Sequence, residues 1–252
     1  MAGKKKGKGS KIRRTAENVI MICLALIVVL SGWKIYSIQH DYKENQSIYD
    51  DIVSQAQPDE AKDSFTGDID WDALRKTNPD VVGWIYYEGS MINYPIVQGK
   101  DNDKYLHVMF DGTYSGFGTL FVDAVTLNPF DQFNTIVYGH HMLNGSMFGD
   151  LRNLKDPEYC RDHPQFELIT PEGKFHLIVC AFLNQPSDSA IYTTNFTKED
   201  EKQKYIDLVK SHSEYITSEE MTTEDRLVVL STCAYEYQNA RYMVVARMVP
   251  WE

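Results

Sequence analysis

The chain lacks most of what a metalloprotein, a disulfide-stapled module or a nucleic-acid binder needs. It has only four cysteines in 252 residues. One, Cys23, lies in an apolar run, where it reads as an inert small hydrophobe. The other three, Cys160, Cys180 and Cys233, are an odd number, so at least one is free or pairs between chains, and a disulfide scaffold is not expected in a body this large. No Cys-x-x-Cys, no His-Glu-x-x-His and no complete calcium loop occurs. Asp101-Asn102-Asp103 resembles the start of a calcium loop, but the glycine and the closing glutamate are missing. A glycine-rich phosphate loop and internal repeats are also missing, so no metal and no cofactor is expected. Basic charge is scarce beyond the amino terminus. The whole chain carries −11, and residues 1–34 hold eight Lys/Arg against Glu17, which leaves −18 for residues 35–252. A body that acidic repels phosphate, so no nucleic-acid partner is expected. Apolar residues (43%) and aromatics (12%) are plentiful enough for a core, which excludes wholesale disorder.

Residues 19–33 form an apolar run broken only by Ser31 and Gly32. With Lys34 snorkelling and residues 35–38 included, the run reaches about 20 residues, enough to cross hydrocarbon. The basic cluster before it places the amino end in the cytoplasm. The expectation is a single-pass signal anchor in the cell membrane, with the body extracytoplasmic. A cleaved signal peptide shares this layout, but no small-x-small site follows Leu30. The segments read as a cytoplasmic basic tail (1–18), a transmembrane anchor (19–38), an extracytoplasmic helical stalk (39–77) and a main domain (78–252). Within the stalk, Ile48, Ile52 and Val53 have helical spacing, a loop runs through 64–67, and a short helix at 70–76 has Asp70 as its cap.

Beyond Asn78-Pro79 the period becomes strand-like. Segments 81–86, 91–97, 119–122, 134–138, 166–170, 174–183, 226–230 and 241–249 are rich in β-branched and aromatic residues and bounded by turn formers. Eight strands with mostly short links predict a mainly β fold with helical additions, a closed or nearly closed eight-stranded β-barrel. Helical insertions are expected at 146–154 and 197–211, the latter with Tyr205, Ile206 and Val209 on one face.

Three residues stand out chemically. Cys233 ends the strand in Leu230-Ser231-Thr232-Cys233, where a rigid scaffold can present a thiolate at a rim. Read alone, it is equally a buried structural cysteine. His140 and His141 follow another strand through Gly139, and either can meet a cysteine from a neighbouring strand end as its acid, base or ion-pair partner. Adjacent residues near a strand end point to opposite sides, so only one is expected to reach the thiol, the other being dispensable. Arg241 opens the last strand. If 234–240 is a loop between antiparallel neighbours, Arg241 lands beside Cys233 with a forked donor set for an oxyanion, or else pairs with Glu236.

Leu230-Ser231-Thr232-Cys233 with an arginine opening the next strand resembles the sortase signature. Tyr138-Gly139-His140-His141-Met142 followed by Asn144-Gly145-Ser146-Met147-Phe148 resembles class B sortases. So does Asn78-Pro79-Asp80-Val81-Val82-Gly83-Trp84-Ile85 followed by Tyr94-Pro95-Ile96-Val97-Gln98 and Asp101-Asn102. The likeness runs from about residue 78 to 249. It implies a sortase-type barrel with amino-terminal helices and a helix between strands six and seven, and a membrane-bound cysteine transpeptidase of Gram-positive bacteria. Such enzymes cut a sorting motif near the carboxyl end of a secreted protein, hold it as a thioacyl intermediate and pass it to an amino group of a peptidoglycan precursor. By position the resemblance gives Cys233 as nucleophile, His140 rather than His141 as the catalytic histidine, Arg241 as the catalytic arginine, and Ser231, Ile191 and Tyr192 as contacts to the sorting peptide. Some class B members carry an acid two residues after the cysteine. Here Tyr235 stands there and Glu236 follows, and the link from Cys233 to Arg241 is short for the class. Two other readings remain. An extracytoplasmic cysteine peptidase of papain type usually puts its cysteine at a helix start and before its histidine, unlike this order. A non-catalytic membrane-anchored binding domain would be indifferent to alkylation of Cys233.

Overall fold

Each strand predicted from the sequence has a counterpart in the computed structural model, which describes residues 7–57 and 65–251. They are β1 (Val81–Tyr86), β2 (Asn93–Val97), β3 (Leu120–Val122), β4 (Asn134–Tyr138), β5 (Gln165–Thr170), β6 (Gly173–Pro186), β8 (Arg226–Cys233) and β9 (Ala240–Pro250). A ninth, β7 (Tyr215–Ile216), is too short to leave a period in the sequence. The hydrogen-bonded order is β5-β1-β2-β3-β4-β8-β9-β6, and β5 pairs with β6 to close an eight-stranded barrel. β7 joins β6 at Ala181 and Phe182, beyond the end of β5. The barrel is mixed, since β2–β3 and β4–β8 run parallel. Parallel neighbours need crossovers, which is why long connections separate β2 from β3 and β4 from β8 in the chain.

The chain divides into two units, Met1–Ile48 and Tyr49–Glu252. Helix α1 (Gly7–Ala56) runs through the end of the segment read as tail, the segment read as span and the first part of the segment read as stalk. In the first unit its large apolar side chains from Val19 to Ile38 are exposed. It is the one helix among the described residues long and apolar enough to cross a membrane. The second unit begins inside the segment read as stalk. Tyr49, Ile52 and Ala56 lie on one face of the helix and are buried in that unit. The Tyr49 hydroxyl donates to the Gly118 carbonyl at 2.6 Å. Most of the loop expected at 64–67 is described; Ser64 lies outside the described residues.

The remaining helices follow local signals. Asp70 caps α2 (Trp71–Thr77), its Oδ1 accepting from the Ala73 amide at 2.9 Å. Asp101, the first residue of the calcium-like fragment, accepts instead from the amides of Asp103 and Lys104 at the start of α3 (Lys104–His107). The insertion expected at 146–154 is a 3₁₀ helix at Gly149–Lys155. It is followed by α4 (Pro157–Asp162), which starts on a capping Asp156 and a proline at its first turn. Helix α5 (Glu199–His212) has Glu199, Asp200 and Glu201 in its first turn and Lys210 and His212 in its last, matching the helix dipole. It buries Tyr205, Ile206 and Val209 against the outer face of β4, β6, β8 and β9. Full burial of a side chain such as Ile206 stabilises by roughly 1.5–3 kcal/mol. The crossover packed on that face therefore holds β8 and β9 in place, and those two strands build the rim described next.

Candidate active site

The ends of β4, β8 and β9 meet at one rim. β4 runs parallel to β8 with Tyr138 opposite Ser231, and the ladder gains a last rung where the Gly139 amide donates to the Ser231 carbonyl at 3.1 Å. β8 and β9 are antiparallel, with Cys233 opposite Arg241. Directly opposed residues share a face of the sheet, so thiol and guanidinium emerge side by side. The Ala234 amide donates to the Ala240 carbonyl at 2.9 Å and closes the hairpin behind them. Gly139 is required for a close approach. A Cβ there would lie 2.4 Å from Leu120 and 2.6 Å from Phe148, so no larger residue fits before His140.

A cavity of about 300 Å³ opens at this rim, lined by His140, Cys233, Arg241, Ser231, Tyr192 and Tyr138, among others. Five of the six sequence-predicted site residues are thus together. The sixth, Ile191, is not: its side chain is fully buried in the core cluster under α5, and its carbonyl accepts from the Tyr205 hydroxyl at 2.9 Å. Ile191 and Tyr192 are neighbours in one 3₁₀ turn (Ala190–Tyr192), so they point in different directions and only Tyr192 reaches the cavity. Asn102, Leu106, Phe121 and Ser187 also line it, and sequence reasoning singled out none of them as a site residue, although Asn102 stands in the class B motif. Asn102 and Leu106 come from the β2–β3 crossover, whose position depends on a parallel pairing that no local pattern announces.

The polar groups are held individually. The His140 Nε2–H donates to the Leu106 carbonyl at 2.8 Å, which leaves Nδ1 as the nitrogen available for proton transfer. The Tyr192 and Ser231 hydroxyls are 2.8 Å apart. Burial pushes the Tyr192 hydroxyl up to about 12, against the opposing pull of Ser231 and the Arg241 charge. Burial, with a hydrogen bond to Asp123, also raises the Tyr138 hydroxyl, again against Arg241. Both tyrosines therefore stay neutral at pH 7, and Arg241 supplies fixed positive charge to the cavity. Arg241 donates to the Ala240 carbonyl at 2.9 Å and forms no ion pair among the described residues. Glu236, the acid weighed as its partner, is held by Lys155 at 3.0 Å and by the Tyr242 hydroxyl. Burial disfavours the Glu236 carboxylate, yet these two hydrogen bonds outweigh it and keep the carboxyl below its usual range.

The other cysteines are placed differently. Cys160 and Cys180 are buried, and all four cysteines are free. Burial raises the Cys160 thiol and takes Cys180 up to about 11. Cys180 occupies a break in the β6–β9 register between Val179 and Ala181. Of the three cysteines in the body, only Cys233 is partly exposed and lines the cavity.

Residues 85–249 match the family described as the sortase domain. Over 243 residues the chain is 32% identical to sortase B of Listeria monocytogenes serovar 1/2a, covering 95% of this chain and 99% of that protein. The crystal structure of B. anthracis sortase B in complex with AAEK1 superposes with a TM-score of 0.75 at 30% identity, over 84% of this chain and 99% of that one. A Staphylococcus aureus sortase B–substrate complex gives 0.72 at 27% identity, over 84% and 100%. Barrel and relatives together define a cysteine transpeptidase. The chain belongs to the sortase family, and within it to class B.

Proposed function

We propose that this enzyme cleaves a sorting motif near the carboxyl end of secreted proteins and joins them to an amino group of a cell-wall precursor, with Cys233 as nucleophile, His140 as acid and base, and Arg241 as oxyanion donor. The observation that carries this reading is the pairing of Cys233 with Arg241 across β8 and β9 at a cavity that His140 also lines. The Cys233 thiolate attacks the scissile carbonyl carbon, and the resulting oxyanion is met by the Arg241 guanidinium. His140 gives its proton to the leaving amine as the C–N bond breaks, and a thioester remains on Cys233. An incoming amine then attacks the thioester and loses its proton to His140. The second oxyanion collapses with departure of the Cys233 thiolate, which restores the starting enzyme. Ser231 and Tyr192, hydrogen-bonded to each other on the cavity wall, suit contact with the peptide. The substrate complex of the S. aureus relative supports a substrate site in this fold.

The test uses the full chain in detergent with a panel of fluorescent sorting peptides, among them the Asn-Pro-x-Thr-Asn-like sequences that some class B sortases serve, with and without triglycine as the amine. Cleavage alone without the amine, and a peptide–triglycine adduct with it, are expected. Hydrolysis unaffected by the amine would instead mark a peptidase.

The exposed apolar face of α1 and the basic residues before it support an anchor at 19–38, with the amino terminus cytoplasmic and the barrel outside. Protease added to intact protoplasts is expected to destroy the barrel. A shortened protein released into the medium would show instead that the segment is cleaved.

A further inference from the structure

We propose that His141 is a positioning residue for this reaction, its imidazole replacing a backbone rung that the β4–β8 ladder lacks. The inference rests on Cys233 as the nucleophile. The parallel ladder pairs Asn134 with Leu227 through Tyr138 with Ser231, and the Gly139 amide then reaches the Ser231 carbonyl. In a parallel ladder the bonded residues recur every second position, so the next rung would join the backbone amide of residue 141 to the carbonyl of Cys233. That rung is not made by the backbone. After Gly139 the chain turns out of the sheet: the His140 carbonyl accepts from the Phe148 amide at 3.0 Å, and His141 bridges to Met147.

The side chain supplies the missing bond. His141 Nδ1 lies 2.6 Å from the Cys233 carbonyl oxygen. A carbonyl only accepts, so Nδ1 carries the proton. The ring packs beside Tyr235 and Tyr242, with centroids at 5.2 and 6.0 Å.

The consequence is geometric. Leaving the sheet is what brings His140 to the cavity, but it also detaches the loop carrying His140 from the strand carrying Cys233. The His141 bond reconnects them one residue away from each group. Cys233 is then held on one side by β9 and on the other by His141, and the separation of imidazole and thiol is fixed. Loss of that tie moves neither group out of the cavity but loosens their alignment, and a displacement of about 1 Å can cost on the order of 100-fold in rate. His141 is therefore not the dispensable neighbour that strand alternation suggests.

Full-length protein in detergent is compared as wild type, His141→Leu and His141→Asn, using the peptide of that panel which wild type cleaves, the pH profile of Cys233 alkylation by iodoacetamide, and Tm. Asn carries an N–H close to the place of Nδ1, whereas Leu carries none. His141→Leu is expected to lower kcat by about 10- to 100-fold with KM changed by less than about twofold, and to move the midpoint of the alkylation profile. His141→Asn is expected to return kcat to within about fivefold of wild type and to restore the midpoint. A role confined to stability would lower Tm and leave kcat per folded enzyme and the alkylation midpoint in place. The proposal is overturned if Leu matches wild type in kcat and midpoint, or if Asn is no better than Leu. Should the Leu variant not fold, His141→Gln, whose amide lies one bond further out, takes its place against Asn. A wild type that cleaves no peptide of the panel counts against the transpeptidase reading, and the alkylation profiles then decide on His141 by themselves.

Discussion

Cys233→Ala is expected to abolish both peptide cleavage and amide transfer, with a loss on the order of 10⁴-fold or more in kcat. A methyl group cannot form the thioester, and no other cysteine in the body can substitute for the thiol. Cys160 is buried at α4 and Cys180 at the register break of β6, and neither lines the cavity. The thiolate is the attacking form, and burial holds both thiols away from it, Cys180 as high as about 11. Cys160→Ala and Cys180→Ala should therefore keep activity, with any loss appearing as a lower Tm. Truncating either buried thiol removes only one heavy atom, so the cavity term is small beside the 2–5 kcal/mol typical of Leu→Ala, roughly. His140→Ala should cost nearly as much as Cys233→Ala, and the double variant little more than either single one, because the two act as a unit. Trapping with hydroxylamine followed by mass spectrometry reads the thioacyl site directly. A trappable adduct on Cys160, or additive losses in the double variant, would overturn the assignment.

What was legible in the sequence follows a physical rule. The eight barrel strands are long enough, or apolar enough, to carry a period, and β1 and β4 are found with the bounds the pattern predicts. β7 has two residues and no period, and the bounds of β6, β8 and β9 extend further than expected because β9 pairs with both β6 and β8 and adds rungs that composition does not signal. Cys233, His140 and Arg241 were legible because each sits at or just beyond a strand end, within motifs that resemble the sortase signature. The cavity wall from Asn102 and Leu106 was not, since it depends on where a crossover lies. Ile191 illustrates the same limit at shorter range. A cavity-lining residue and a core residue differ there by one position in a 3₁₀ turn. The bond from His141 to the Cys233 carbonyl was invisible for another reason: it replaces a rung that strand periodicity takes for granted.

Arg241→Ala is expected to lower kcat by about 10²–10³-fold, the effect of removing one well-aimed oxyanion donor. The guanidinium is free for this task. Its internal hydrogen bond uses Nη1 alone, to the Ala240 carbonyl, and the carboxylate of Glu236 is occupied by Lys155 and Tyr242. Had Arg241 been one half of a rim ion pair, its removal would cost at most about 1 kcal/mol of stability and no rate. Arg241→Lys keeps the charge but loses the planar fork, so a single nitrogen must serve both the Ala240 carbonyl and the oxyanion, with poorer geometry to each. It should fall between wild type and Ala, with the loss in kcat rather than KM, because the oxyanion exists only in the transition state and intermediates. Tm should change little in either variant, since the side chain is half-buried at the rim and outside the core cluster. Peptide cleavage, amide transfer and melting measured side by side separate the two roles. Both half-reactions pass through an oxyanion, so both should slow in the same variant. Slowed cleavage with normal transfer from a preformed thioester would show that Arg241 places the peptide rather than stabilising its transition state.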